Sequence, residues 1–322
     1  MTPNQLKTVT IATILVVVTT ATGLLTACGG DREPDTRARP DSRSGVDLMA
    51  RVDDYTARFR PGSGYQEPSR RDRDTVARGV RLLLDGDRTA ARRALADIDF
   101  TVRMLTDSAT GRRYTEVADR SDAGPAPRGW GRVYLAQDAT PASDRWTVQV
   151  PHPVADRNTE RLGVGVLRGA PGGLMVLAGA HRAAGEGDAA DVAHRKDTVF
   201  DAVCAALAER GLPAVQVHGF ADSSAPGRDA VVSTGRGTVA RPEGRLLADA
   251  LHDRGFPVCR AWSASCPLEG RTNVQGRKAA AEHVAFLHIE FSNRIRTDGQ
   301  RTADAVAALG RVTNLWQKGE RP

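Results

Sequence analysis

Aromatic residues make up only 5% of this 322-residue chain, and no basic stretch is interleaved with them. The net charge of +6 comes from arginines dispersed among aspartates rather than gathered in blocks. A nucleic-acid groove needs clustered cations and stacking platforms, so nucleic acid is not an expected partner. No glycine-rich phosphate loop follows any apolar strand pattern, and GRGTVARPEG at 235–244 reads as an ordinary loop. Nor does the chain contain a Gly-x-Ser-x-Gly elbow, which leaves a serine hydrolase built on Ser233 or Ser292 without its usual scaffold. There is no internal repeat, and only four cysteines are present. Length and ordinary apolar content allow one large core, or one core with a smaller module.

What is present begins at the N-terminus. Lys7 precedes an apolar run over 9–26 that ends in Leu25-Thr26-Ala27-Cys28. A basic start, an apolar middle and small residues before a cut site form an export signal over 1–27. The Leu-Thr-Ala-Cys sequence resembles a bacterial lipobox, which implies cleavage before Cys28 and a diacylglycerol on its sulfur. An uncleaved membrane anchor is the competing reading; either way, the bulk lies outside the cytoplasmic membrane. Residues 28–45 are polar and aperiodic, a disordered tether. In an oxidising compartment Cys259 and Cys266 are expected to pair across a short loop, whereas Cys204 sits in an apolar helical pattern as a buried thiol.

The segment 46–123 reads as a helical preface followed by a hairpin. Its clearest helices span 74–86 and 87–98, and strands at 100–105 and 113–117 flank a turn at 107–111. Residues 124–322 change to alternating strand and helix patterns. Strands are expected at 133–136, 146–150, 174–178, 214–217, 230–232, 256–260 and 285–291. Helices are expected at 159–168, 196–210, 244–254 and 273–283. This alternation predicts an α/β domain: a three-layer α/β/α arrangement with a central mixed, mostly parallel sheet.

Ligand sites in such sheets gather beyond the carboxyl ends of the strands. The strand at 146–150 runs into His152, with Asp156 and Glu160 close behind; the one at 214–217 ends at His218. The strand at 285–291 carries His288 and Glu290 and leads to Arg294, and the strand at 174–178 leads to His181 and Arg182. Two imidazoles and a carboxylate from adjacent strands suit one Zn²⁺ ion, and a second carboxylate near a bound water suits hydrolysis.

The stretches HPVADRNT (152–159), VHG (217–219) and HIEFSNRIR (288–296) resemble the zinc carboxypeptidase-like superfamily, in its compact branch of poly-γ-glutamate hydrolases and N-formylglutamate amidohydrolases. The resemblance spans about 130–300. It implies that His152, Asp156 and His218 bind zinc and that Glu290 activates a water. It further implies that Arg182, Arg271 or Arg294 holds a substrate carboxylate or the oxyanion. The family's acid is usually glutamate at a tighter spacing, so Glu160 stays open as the alternative carboxylate ligand. If the helix begins near Thr159, Glu160 falls in its first turn with Asn158 as cap.

The block AGAHRAAGEGDAADVAHRKDTVF adds alternatives. His181 could replace one of the three ligands or line the substrate site, Asp191 or His194 could orient a ligand from behind, or the whole block could be surface loop. Asn273 and Gln275 could line a substrate groove. The expected function is a surface-anchored zinc amide hydrolase acting on a cell-envelope peptide or γ-glutamyl polymer. The alternative is a non-catalytic envelope lipoprotein with a degenerate site.

Overall fold

Residues 45–138 and 145–320 are described by the computed structural model; the expected signal segment, Cys28 and nearly all of the tether lie outside them. Among the described residues no helix is long and apolar enough to cross a membrane. The chain opens with α1 (Leu48–Thr56), α2 (Arg70–Leu84) and α3 (Arg88–Ala96). Asp47, Ser69 and Asp87 cap these three helices by accepting first-turn N–H groups, and Ser69 and Asp72 form a reciprocal capping box. Two more short strands follow, β1 (Phe100–Thr106) and β2 (Arg113–Asp119), and then β3 (Arg132–Ala136) and β4 (Trp146–Val150). The remainder alternates: α4 (Thr159–Gly169), β5 (Gly173–Leu177), α5 (Val199–Glu209), β6 (Ala214–Phe220), β7 (Ala230–Ser233), α6 (Arg241–His252), β8 (Val258–Arg260), α7 (Val274–Ala281), β9 (Phe286–Ser292), α8 (Asn293–Thr297) and α9 (Gly299–Gln317).

The nine strands of the described residues join one sheet in the order β1-β2-β3-β5-β4-β6-β9-β7-β8. Its centre, β5-β4-β6-β9, is parallel throughout, and antiparallel pairings attach β3 on one side and β7 on the other. The hairpin β1–β2 extends this same sheet through β3. Parallel strands buried on both faces need apolar residues at nearly every position, and β3, β4 and β5 are buried along their whole length.

Alternate residues serve opposite layers. Val148, Val150, Val215, Val217, Leu287 and Ile289 pack in one cluster with Leu162 of α4, Leu247 of α6 and Leu309 of α9. Leu135, Leu174 and Val176 pack with Val80 of α2, Leu95 of α3 and Val203 of α5. Ala214 and Phe286 meet Ala279 of α7. The three-layer arrangement expected from the sequence results. Polar side chains interrupt this second face near the carboxyl ends of the parallel strands. Gln149, Gln216, His288 and Ser233 stand in one register row, and His218 and Glu290 in the next.

Several elements differ from expectation. Helix α9 was not anticipated, although Ala305, Ala308, Leu309, Val312 and Trp316 recur at helical spacing and are all buried. The last edge strand covers only Val258–Arg260, because Phe256 turns into the core instead of extending the ladder. Helix α6 begins earlier, with Pro242 in its first turn, where a missing N–H costs nothing.

Candidate metal centre

After Val150 the chain passes through a turn that folds His152 back over Asp156. The Asp156 N–H donates to the His152 carbonyl at 2.9 Å, and both side chains are buried. The turn contains a strained point: Val154 has φ 68°, a region β-branched residues rarely enter. Its N–H is held by Glu160 Oε2 at 3.2 Å. Glu160 lies in the first turn of α4, buried and with its pKa raised by that burial. Its carboxylate therefore pins the turn. Asn158 occupies the N-cap position, but its side chain makes no capping bond; it donates to the Arg296 carbonyl at 2.8 Å.

His152, Asp156 and His218 form one buried trio whose ligand atoms lie within 4.8 Å of one another. Oδ2 of Asp156 is 3.2 Å from Nδ1 of His152 and 3.3 Å from Nδ1 of His218. It also accepts the Gly219 N–H at 3.2 Å. Glycine is required at 219, because a Cβ there would fall inside the guanidinium of Arg296. That guanidinium donates to the carbonyls of Phe291, Phe220 and Arg157, tying the ends of β9 and β6 to the His152 turn.

The outward nitrogens of the two histidines decide what the inward ones can do. Nε2 of His152 is 2.8 Å from Oδ1 of Asp191. An ionised carboxylate only accepts, so this nitrogen carries a hydrogen. Nε2 of His218 faces Oε1 of Gln216 at 2.7 Å and is likewise the donor. The two Nδ1 atoms therefore turn toward Asp156, and when both rings are neutral three acceptors converge on one point. Such a set is satisfied by a divalent cation, which takes imidazole nitrogen and carboxylate oxygen. The residues present fit a zinc-type ion.

Electrostatics agree with this arrangement. Burial, reinforced by His288, pushes the His218 pKa down to about 4, so the ring is neutral at pH 7. For His152 burial acts in the same direction, but the hydrogen bonds to Asp156 and Asp191 outweigh it and raise the pKa. Burial alone would raise the Asp156 and Asp191 pKa values; hydrogen bonds from their histidine neighbours instead hold both well below the carboxylate range.

Glu290 is buried on β9, in register with His218 and on the same face of the sheet. Its Oε1 lies 3.4 Å from Nε2 of His288. The His288 ring lies 4.5 Å from that of His218, tilted by 40°, and among the described residues neither of its nitrogens has a hydrogen-bond partner. Its far side is closed by Gly270, where a Cβ would come within 2.5 Å of the ring. The sequence reading names His288 at its strand end without a role and does not name Gln216, although their place two residues before Glu290 and His218 puts both on the same face.

The remaining candidates divide. Arg182 reaches the trio: it donates to Asp191 Oδ2 at 2.6 Å and lies 3.5 Å from Nδ1 of His152. His194 also meets Asp191, at 3.1 Å. His181 accepts the Ala183 N–H, and its pKa is lowered by burial and by Arg182. Arg294 instead pairs with Asp229 at 2.5 Å, before β7, and Arg271 pairs with Glu269 and is exposed. Asn273 caps α7 and donates to Gln216 Oε1, so it serves the wall behind His218. Cys259 and Cys266 form a disulfide that closes the loop before Gly270, and Cys204 is buried and, among the described residues, unpaired.

No protein-family model matches the sequence, and no curated protein matches it. Among solved structures the chain is similar to a bacteriophage poly-γ-glutamate hydrolase, with a TM-score of 0.41 and 12% identity over 58% of this chain and 90% of that one. It is also similar to a metallo-carboxypeptidase from Pseudomonas aeruginosa, with a TM-score of 0.38 and 14% identity over 58% and 60%. A succinylglutamate desuccinylase from Vibrio parahaemolyticus matches with a TM-score of 0.39 and 12% identity over 68% and 70%. At these identities the chemistry of the site is carried by its own residues.

Proposed function

We propose that the protein is a zinc-dependent amide hydrolase, with His152, Asp156 and His218 as metal ligands and Glu290 as general base. The single observation that carries this reading is the buried trio, in which both imidazoles are oriented from behind and present Nδ1 to one carboxylate oxygen. A bound ion would supply Lewis acidity to a carbonyl and lower the pKa of a water. Glu290 would serve as general base, taking the proton of the attacking water and returning it to the departing amine. Arg182, at the edge of the trio, stabilises negative charge developing on the substrate oxygen. Asp156 prevails over Glu160 as the carboxylate ligand, since Glu160 is engaged by the Val154 N–H.

The proposal extends to location and substrate. The signal pattern before Cys28 supports lipid attachment and an extracytoplasmic domain, which makes envelope peptides and γ-glutamyl polymers the accessible amides. The test is elemental analysis of the purified protein together with amine release from γ-glutamyl and muropeptide substrates. One zinc per chain is expected, with activity abolished by chelator and by Glu290→Gln. A protein that folds, binds no divalent metal and cleaves nothing in the panel refutes the reading in favour of a binding lipoprotein. Cys28→Ser is expected to move the protein from the membrane fraction to the soluble one.

A further inference from the structure

We infer that Gln275 and Asn273, acting through the amide of Gln216, are positioning residues that fix which nitrogen of His218 is free for a metal ion. This rests on the metal-site reading above. The direction of every bond in the chain of amides follows from two backbone groups that cannot be reversed. Gln275 Nε2 donates to the Val192 carbonyl at 2.9 Å and to Asp201 Oδ1 at 2.9 Å, so its Oε1 is the end that faces Gln216. Asn273 Oδ1 accepts the Gly276 N–H at 2.8 Å as the cap of α7, so its Nδ2 is the end that faces Gln216.

Both constraints orient Gln216 the same way. Its Nε2 donates to Gln275 Oε1 at 3.2 Å and to Gln149 Oε1 at 3.0 Å, while its Oε1 accepts from Asn273 Nδ2 at 2.5 Å. A reversed Gln216 would set two NH₂ groups together and oppose oxygen to oxygen, leaving buried polar atoms unpaired at a cost of about 1–3 kcal/mol each. With Oε1 held in place, the proton of a neutral His218 stays on Nε2.

The lock matters because the competing tautomer is attractive in itself. A proton on Nδ1 would hydrogen-bond the Asp156 carboxylate, 3.3 Å away, and occupy both ligands at once. All four amide side chains of this network are buried, so water does not relieve the constraint. The two histidines are thus held by different means, His152 by the charge of Asp191 and His218 by a chain of neutral amides. Removing an outer partner of this kind weakens metal binding by about 10–100-fold.

The experiment is carried out on the full-length protein stripped of metal at pH 8. Two-bond nitrogen–proton correlation spectra report the His218 tautomer, and competition with a chromophoric chelator reports zinc affinity. In the wild type His218 is expected with its proton on Nε2. In Gln216→Leu and Gln275→Leu that preference is expected to be lost and zinc affinity to fall about 10–100-fold. Gln216→Glu, which can only accept, is expected to keep both. A proton on Nδ1 in the wild type, or an unchanged tautomer in both leucine variants, overturns the inference. Should Gln216→Leu not fold, Gln275→Leu and Gln216→Glu carry the comparison. An Nε2 proton lost in the leucine variants, with no zinc bound by any form, supports the lock and refutes the metal reading separately.

Discussion

Replacing Asp156 by asparagine keeps the shape of the trio and removes its charge. Oδ2 alone accepts the Gly219 N–H and faces both Nδ1 atoms, so the amide places there either an uncharged oxygen or an NH₂ group that gives up the glycine bond and occupies the imidazole lone pairs. In both orientations the trio loses its anionic ligand. Apparent free energies of about 10–16 kcal/mol are typical for tight zinc sites. If one anionic ligand of three supplies roughly a third, the loss is about 3–5 kcal/mol, or about 10²–10⁴-fold in affinity. Competition with a chromophoric chelator at pH 7.5 measures this directly. Urea unfolding in excess chelator checks that the variant still folds, with an expected loss of about 1–3 kcal/mol from the hydrogen-bond partners left unsatisfied. Glu160→Gln in the same assay should leave zinc affinity within a few-fold. A zinc affinity unchanged in Asp156→Asn but collapsed in Glu160→Gln would refute the ligand assignment and with it the geometric reasoning.

Glu290→Gln should retain zinc and lose about 10²–10⁴-fold in turnover, read by amine release alongside elemental analysis. The His218 pKa falls from 6.5 to about 4 on folding, so its neutral form is the one the fold favours. Its contribution is therefore complete above pH 6.5 and lost as pH drops toward 4, with an upper bound of about 3 kcal/mol. Urea midpoints of the metal-free protein between pH 7 and 4.5 should fall less steeply in His218→Gln, and an identical slope would show that His218 is not the group responsible. Gly219→Ala drives a methyl group into Arg296 and should cost about 1–3 kcal/mol in denaturant unfolding while leaving the circular dichroism spectrum native. Replacing Cys259 and Cys266 by serine opens a loop with a sequence separation of 7 and should cost about 2.5 kcal/mol by the loop-entropy relation, measured as a shift in thermal midpoint.

The strands that carry the site were legible because a buried parallel strand is a short apolar run, and the polar residue that ends one stands out. VQVPHPVADRNTE shows an apolar strand stopping at His152, and the same contrast marks His218 and Glu290. What the sequence could not decide was which carboxylate turns inward. Asp156 and Glu160 are both close behind His152, and the choice depends on a tight turn with Val154 at positive φ, a conformation no residue type there announces. Arg182, Arg271 and Arg294 were equal candidates on paper; their separation depends on Asp191, Glu269 and Asp229, which come from other parts of the chain. Gln216 escaped notice because a glutamine inside a strand looks like an outward-facing surface residue. Only the register that sets it beside Gln149 and His288 makes it part of a buried wall.

That wall bears on how the fold and the metal depend on each other. Gln149, Gln216, His218, His288 and Glu290 occupy strand positions where apolar residues would pack under α5 and α7, and all are buried. The amides recover part of the cost by pairing with one another, but His288 keeps two unpartnered nitrogens and the trio gathers acceptors around Asp156. The metal-free protein is thus less stable than its apolar layers alone would make it, and the deficit is concentrated at the carboxyl edge of β4, β6 and β9. An ion that binds only the folded chain returns stability in proportion to the logarithm of its concentration over its dissociation constant, about 1.4 kcal/mol for each tenfold. On the opposite face the same three strands present Val215, Val217, Leu287 and Ile289 to α4, α6 and α9, and this apolar packing holds the strand ends in register. The division of labour between the two faces of the sheet lets the trio stay assembled at the expense of local rather than global stability.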